Sequence, residues 1–361
     1  MNLDTYRLAE MPKAGEPMQI TLQADSPMGR RGDVLTLSLT PADVHDSTEL
    51  PTYLAGYRPA NMRADEASPV ILVDYDQGKF RSFSADDTFQ RVDVKGSIEA
   101  NIPEIDPRAS LVDYKVVDRF IGSFINDITA QNAAGSRYQP RQAAMRRCQR
   151  AIQLDREIDV WTLLTTSGSW NAGNVVTLVA GEQWNGGASA DPIGDLQNMM
   201  EDSAQQITDF WMNQQSANAM ISSVSVRNHL RQMLGDASVA DAINRVSQAT
   251  TSIVDFIIPG LPPVHVVAGK VKNETSGALD YILGPHVVGT VSPGGVPSDG
   301  EEIASTYTFR RRGGAGVGYE TREFRVENRG PKGGVMVVVS MADIAVMTGN
   351  TSGGLLRSVI Q

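Results

Sequence analysis

Residues 140–166 read PRQAAMRRCQRAIQLDREIDVWTLLTT, the longest periodic stretch in the chain. Within it Ala144, Cys148, Ala151, Leu154, Ile158, Trp161 and Leu164 recur at spacings of three and four, the mark of one apolar stripe on a helix. Pro140 suits the first turn, where its missing N–H costs nothing, and Gly168 follows the end. At about 1.5 Å per residue such a helix is roughly 40 Å long, a rod across a subunit. The first third of the chain contrasts with it. Residues Met1 to about Ile125 read as arms and hairpins with little core of their own. Extended segments that cannot bury themselves, hung on one rod, point to a protein completed by copies of itself.

Composition bounds the remaining choices. A chain of 361 residues exceeds what one compact core usually organises, so two lobes with excursions are expected. Apolar content of 41% supports a core, and charged content of 20% is not that of a disordered chain. The 33 glycines and 18 prolines are spread out, which fits many turns and short strands. Net charge is −10, from 42 acidic against 32 basic side chains, and argues against a protein whose main task is gripping phosphate backbones. A single cysteine, Cys148, excludes an intramolecular disulfide framework, and folding in a reducing cytoplasm is the simple reading. The opening MNLDTYRLAEMPKAG lacks a basic start followed by an apolar run, so no signal peptide is expected. No segment approaches the roughly 20 apolar residues of a membrane span, and the sequons at Asn273 and Asn350 carry no meaning.

Along the chain, Val34–Thr40 alternates apolar and hydroxyl residues as a strand does, inside an arm interrupted by Pro12, Pro17, Pro27 and Pro41. From Leu50 to about Ile105 the pattern predicts a long hairpin excursion. In it Pro69–Tyr75 (PVILVDY) turns at Asp76-Gln77-Gly78 and returns through Lys79–Phe83 and Phe89–Val94. A two-stranded ribbon is marginal alone in water, so it must lie on something, either a neighbour or its own domain. Residues Leu111–Ile128 mix strand and helix signals. Then come a strand at Val175–Val179 and a helix from Asp191-Pro192 to about Ile207. A buried strand at Ala219–Val224 and helices at Val226–Leu234 and Val239–Ala249 follow, with strands at Val264–Val267 and Leu279–Leu283. These alternating short elements read as one α/β lobe. The last sixty residues change to a strand-rich return over Thr306–Arg312, Gly318–Glu327 and Gly334–Met347.

Catalytic patterns are missing from the sequence. His45, His229, His265 and His286 are isolated, without the carboxylate-flanked or i, i+4 spacing of a zinc site. Cys148 lies on the apolar stripe and reads as a small buried hydrophobe. Gly313–Gly318 lacks the lysine and hydroxyl of a phosphate loop and precedes a strand, so it reads as a turn. Glu301-Glu302 and Asp86-Asp87 lie in polar loops as solvated charge. No cofactor, metal or catalytic residue is expected. One charge pattern stands out: Arg310-Arg311-Arg312, then Arg322, Arg325, Arg329 and Lys332 interleaved with Glu320, Glu323 and Glu327. Alternating signs along a strand suit ion pairing with a neighbouring surface better than nucleic-acid binding, and a plain solvated strand is the alternative.

The order of elements is distinctive. The rod PRQAAMRRCQRAIQLDREIDVWTLLTT is followed by DPIGDLQNMMEDSAQQI, ANAMISSVSVRNHLRQML, PPVHVVAGKV, DYILGPHVVGTVSP and GGVMVVVSMADIAVMTG. In this layout, over nearly the whole chain, it resembles the major capsid proteins of tailed bacteriophages, the Hong Kong 97-type fold. The resemblance implies an α+β subunit with an N-terminal arm (1–49) and an extended β-hairpin loop (50–105). It further implies a spine-helix peripheral domain (106–207, spine 140–166), an α/β axial domain (208–304) and return strands of the peripheral domain (305–361). It implies a major capsid protein, not an enzyme, that self-assembles into hexamers and pentamers of an icosahedral head enclosing double-stranded DNA without specific binding. A portal and a separate scaffolding protein are the implied partners, and whether a decoration protein joins them is left open. It implies no membrane partner, and the virion as the destination after assembly in the host bacterial cytoplasm.

A separate scaffolding protein is expected because only about 48 residues precede the hairpin, against the roughly hundred-residue cleaved segment of some members. Lys79 and Asn350 could be cast as a crosslinking pair, but the motif context is not matched and no crosslink is expected. Subunit-contact candidates are Lys79 and Phe80 on the loop and Arg310, Arg311, Arg312, Glu320, Arg322, Glu323 and Arg325 on the return strands. The rival readings are an encapsulin-like compartment shell of the same fold and, from another class, an α/β hydrolytic enzyme using loop carboxylates.

Overall fold

The computed structural model describes residues 18–22, 35–39, 44–46, 62–82, 110–132, 139–186, 189–234, 255–273, 276–292, 304–313, 318–327, 329 and 333–361. The chain divides into two compact units. One comprises Met1–Tyr57, Phe120–Gln149 and Gly313–Ser340; the other comprises Arg58–Arg119, Arg150–Arg312 and Met341–Gln361.

The first unit is strand-rich. Strand β1 (Met18–Leu22) pairs antiparallel with β2 (Leu35–Leu39), so the arm contains a ribbon where the sequence marks only its second strand. Strand β3 (Val44–Asp46) pairs antiparallel with β15 (Tyr319–Val326), as Arg322↔Asp46 to Phe324↔Val44. β15 lies beside β16 (Gly334–Met347), which also receives β7 (Val117–Asn126). The ambiguous stretch after Leu111 is therefore extended as far as Asn126. It becomes helical only at α2 (Asp127–Asn132), where Asn126 Oδ1 accepts from the Ile128 N–H at 3.0 Å.

The second unit is built on a five-stranded mixed sheet in the order β10 (Val264–Val267), β9 (Asp209–Asn213), β13 (Val287–Thr290), β17 (Gly353–Arg357), β8 (Val175–Thr177). Strand alternation sends its side chains into two separate cores. Phe210, Met212, Val264, Val266, Val287 and Leu356 join Ile193, Leu196, Met199 and Met220 on one face. On that face lie the helices α4 (Pro192–Asp202), α5 (Gln214–Ser222) and α6 (Val224–Leu234). Trp211, Val267, Val288 and Leu355 point the other way and join Val160, Trp161 and Leu164 of the long helix α3 (Pro140–Thr165). A sheet covered on both faces needs apolar residues at nearly every position. β9 and β13 have that composition, DFWMN and VVGT, and are buried almost throughout. Gly289 and Gly354 stand opposite each other in the β13–β17 register. A Cβ on either would lie within 2.8 Å of Met199, so the two glycines open the slot that this side chain fills.

The same unit carries β14 (Thr306–Arg311), which pairs antiparallel with the end of β16 and parallel with β4 (Val70–Val73). This corrects the expected hairpin. The apolar VILV segment enters a sheet instead of folding back on Lys79–Phe83. The ribbon proper is β5 (Gln77–Ser82) against β6 (Ser110–Lys115), from Gln77↔Lys115 to Ser82↔Ser110. A second correction concerns Ala219–Val224, which is the end of α5 and the start of α6, not a strand. Asn213 ends β9 and caps α5 by accepting from the Ser216 N–H at 2.6 Å, so the strand precedes the helix and Ala217, Met220 and Ile221 are a helical face. α4 stops at Asp202, short of Ile207, although its start at Asp191-Pro192 is as expected. The helix expected at Val239–Ala249, the return Phe89–Val94, and the loop acids Asp86, Asp87, Glu301 and Glu302 lie outside the described residues.

Helix α3 has the expected span but a different buried stripe. Ala144, Cys148, Trp161 and Leu164 are buried, whereas Ala151, Leu154 and Ile158 are half-buried. Met145, Gln149, Ile152, Arg156, Glu157 and Val160 are buried in their stead. The helix is rotated toward two charged residues, a choice that apolar periodicity alone does not show. Trp170 closes its C-terminal end by donating its indole N–H to the Leu164 carbonyl at 2.8 Å.

Candidate assembly surface

The ribbon β5/β6 has two unlike faces because opposed residues in an antiparallel pair share a side. Phe80 and Val112, with Gly78 and Tyr114, form the inner side. Tyr114 stacks on Phe309 at 4.3 Å between ring centroids with the rings nearly parallel, and Phe80 sits 5.1 Å from the same ring. Gly78 makes this possible, since a Cβ there would lie 2.6 Å from the Tyr114 hydroxyl. Burial of the phenol pushes the Tyr114 pKa up. On the outer side Lys79 and Asp113 pair at 3.6 Å, both exposed. On the ribbon and beside its root the second unit leaves large apolar side chains exposed. Tyr75 is 78% exposed, Leu111 63% and Val117 50%. Isolated exposed apolar residues are ordinary. Several on neighbouring strands are the kind of surface that another chain covers.

The charged return strands are paired within their own units. Arg311 bonds Asp76 at 2.8 Å and Asp118 at 3.1 Å, and Arg312 approaches Asp74 at 3.5 Å. In the first unit Arg322 meets Glu320 at 3.8 Å, Glu323 meets Arg141 at 3.6 Å, and Arg325 meets Asp127 at 3.4 Å. Lys79, Arg312, Arg322 and Arg325 remain largely exposed while Phe80 is half-buried. Arg310 is buried and belongs to a different structure.

That structure is an ion cluster that sequence reasoning missed. Arg156 from α3 contacts both Asp65, in the short helix α1 (Ala64–Ala67), and Asp343 on β16, the latter at 2.6 Å. Arg310 from β14 reaches Asp65 at 3.0 Å and Asp343 at 3.7 Å. Arg119 from β7 contacts Asp343 and Asp159 and bonds Asp155 at 3.0 Å. Three guanidiniums and four carboxylates thereby tie five segments of the second unit together. Burial opposes the charge on Asp65, but Arg156 and Arg310 outweigh it and hold the carboxyl below its usual range. Burial likewise opposes the charge on Arg119, and Asp343, Asp159 and Asp155 reverse that effect. Two signals were available in the sequence: Asp343 is the lone charge in the apolar strand GVMVVVSMADIAVM, and Arg156-Glu157 interrupts the buried side of the long helix. Glu157 accepts from the Ala64 N–H and, within α3, from the Trp161 indole N–H, both at 2.6 Å, so this bond and the Arg156–Asp65 pair hold α1 to α3 by two devices.

The histidines fall into three situations. The ring of His229 lies 2.8 Å from the Pro259 carbonyl, and burial followed by Arg357 holds the His286 pKa down. His265 is not isolated: Asp209 and Asp255 flank it at 2.8 and 2.9 Å, brought there by tertiary structure from 56 residues before and ten residues before. Those carboxylates bind opposite nitrogens of the ring and do not converge on one point. Among the described residues no group of three His, Cys, Asp or Glu side chains could hold a metal ion. Cys148 is buried, which pushes its thiol pKa up and away from nucleophilic use. The ion cluster and the bonds of Glu157 fix segments in place.

No family model matches the chain, and no curated protein matches it. Solved structures do. A phage-related protein from Bordetella bronchiseptica RB50 superposes with a TM-score of 0.63 at 17% identity, over 87% of this chain and 97% of that one. A putative capsid protein of a prophage of E. coli CFT073 gives 0.54 at 12% identity, over 87% and 99%. The capsid of Cyanophage P-SCSP1u gives 0.51 at 10% identity, over 84% and 89%. The likeness is one of fold at low sequence identity: the chain shares a mixed α+β architecture with these phage and prophage proteins, consistent with a Hong Kong 97-like fold.

Proposed function

We propose that this chain is a self-assembling structural subunit, the major capsid protein of a tailed phage, forming hexamers and pentamers of an icosahedral head around double-stranded DNA. The observation that carries the reading is the fold likeness to the E. coli CFT073 prophage protein, which spans 87% of one chain and 99% of the other. The ribbon supports it: two strands whose Phe80 and Tyr114 pack on Phe309, while Lys79 and Asp113 on their other side are exposed. In this reading residues 1–49 are the arm and the excursion within 50–105 is the loop laid over a neighbour, its ribbon reaching on to β6. Residues 106–207 and 305–361 make the peripheral domain, and 208–304 the axial domain. Lys79, Arg312, Glu320, Arg322, Glu323 and Arg325 exchange some of their internal pairs for contacts with other subunits, and Phe80 and Arg311 support the ribbon and β14 within the second unit. Arg310 acts inside the subunit. The net negative charge suits a wall that faces DNA without adhering to it. A portal and a separate scaffolding protein complete the particle, which assembles in the bacterial cytoplasm and ends as the virion.

Negative-stain microscopy and light scattering of the purified full chain test this reading. Uniform closed shells or capsomer rings are expected, because many modest interfaces repeated by symmetry add up. A monodisperse monomer at all concentrations and salt conditions would sink it.

A further inference from the structure

On the second unit, a group of charges separate from the ion cluster surrounds Trp211. The antiparallel bridge Phe256↔Val264 sets Asp255 beside His265, and the β9–β10 register sets His265 beside Trp211. The imidazole stacks on the indole at 4.4 Å. Its Nε2 lies 2.8 Å from Asp209 Oδ1 and its Nδ1 2.9 Å from Asp255 Oδ2. Asp255 in turn takes both terminal nitrogens of Arg63, whose guanidinium lies 5.5 Å from the centre of the same indole. Arg63 immediately precedes α1, the segment that leads into β4 and the ribbon.

A neutral imidazole has one N–H and one lone pair. It can serve one of these carboxylates and must present a lone pair to the other. Only the doubly protonated ring donates to both; a neutral ring turns its Nδ1 lone pair toward Asp255, with Arg63 Nη2, 3.3 Å away, as the one donor left to it. We propose that Asp209, His265, Asp255 and Arg63 form a proton-operated clasp: the imidazolium holds both carboxylates in place, Asp255 holds Arg63, and loss of one proton loosens the Arg63 end of the segment Arg63–Ser68, whose Ala64 and Asp65 keep their bonds to Glu157, Arg156 and Arg310. The other charges facing the group are Glu66, bonded to Arg63 at 2.7 Å, and Glu157, which grips the Ala64 N–H from α3. Thr208 adds a neutral hydroxyl, donating to Asp209 at 2.7 Å. Burial disfavours the charged ring, but the hydrogen bonds to Asp209 and Asp255 prevail and raise the His265 pKa. Burial similarly opposes ionisation of Asp209 and Asp255, and their bonds to His265 and Arg63 prevail there too.

The sign follows. A raised folded pKa means the clasp is fully closed below the ordinary histidine value, about 6.5, and opens as pH rises through the folded value. At the acid end it fails only when pH falls through the lowered pKa values of the two aspartates. Glu157 has its pKa raised, chiefly by burial, so it takes up its proton earlier in acid. The device does not depend on whether the subunits close a shell.

Hydrogen exchange of the full-length protein across pH tests it, with each amide corrected for its intrinsic rate. Protection of the Ala64 and Ser68 amides, relative to Val288 and Leu355 in the central sheet, should fall as His265 titrates. The fall should be about tenfold for each unit by which that pKa is raised. In His265→Gln the relative protection should be low and flat with pH. Arg63→Gln, which keeps the ring and both acids, should also be flat, and it serves where the first variant does not fold. Flat relative protection in the wild type, or the same fall persisting in either variant, would overturn the clasp.

Discussion

Asp343 is the residue on which the second unit's charge balance turns. It is 1% exposed and is the shared partner of Arg119, Arg156 and Arg310, all largely buried. Net gains from a buried ion pair are uncertain, because desolvation offsets attraction; removal of one member is a different matter, since it leaves charge without compensation. Asp343→Ala should therefore cost about 3–5 kcal/mol in urea unfolding, read as a lower midpoint at unchanged slope. Lys79→Ala removes a pair whose members are both exposed and should change stability by less than about 1 kcal/mol. Comparable losses from the two variants would mean that the cluster does not bind the five segments together. The asymmetry was partly legible: a lone acid in a run such as VVVSMADIAV needs a cation, yet nothing in the chain says that the cations come from positions 119, 156 and 310. The same holds for His265, whose carboxylates are distant in sequence. Side chains that meet only through tertiary structure leave no local spacing to read.

At the scale of elements, the ribbon root gives a test in which two tendencies oppose each other. Valine is favoured over glycine in a strand, so Gly78→Val should stabilise β5 if the strand alone mattered. Added carbon at that position collides instead with the Tyr114 ring, which must leave its stack on Phe309. We expect the collision to win by about 1–3 kcal/mol, the usual cost of overpacking, with loss of near-ultraviolet dichroism from the displaced tyrosine. A stabilised variant would show that the stack contributes nothing. The long helix, the strands Val264–Val267 and Gly334–Met347 and the capped start at Asp191-Pro192 were legible because period, cap and length agreed there. The errors share one cause. PVILVDY followed by Asp76-Gln77-Gly78 carries a hairpin's local signature, but an apolar strand is drawn to the larger burial offered by β14. DFWMN was overlooked as a strand because a strand buried on both faces shows no alternation in polarity. The buried side of α3 was misplaced for a related reason, since partners elsewhere decide that Arg156 and Glu157 face inward.

For the whole molecule, the central question is which parts the subunit needs for itself and which it keeps for others. The second unit closes its sheet with helices on one face and the long helix on the other, and its ion cluster fastens α1, β14, β16 and the start of β7. None of the core residues of that unit among the described positions falls beyond Phe80 on the ribbon's outgoing strand. The strands β5 and β6 end on the pair Ser82↔Ser110, a register that a two-residue turn can close. Replacing residues 83–109 by Asn-Gly should therefore leave a subunit that unfolds in one cooperative transition, with no loss in midpoint. Shell formation is lost if that segment is the part laid over a neighbour. Light scattering and microscopy read the assembly, and dichroism on melting reads the fold. Intact shells from the shortened chain would remove the ribbon from the assembly mechanism. A chain that no longer unfolds cooperatively would mean that the segment belongs to the subunit's own core. Only a folded, unassembled product fits a molecule whose parts divide between holding one subunit together and joining it to the next.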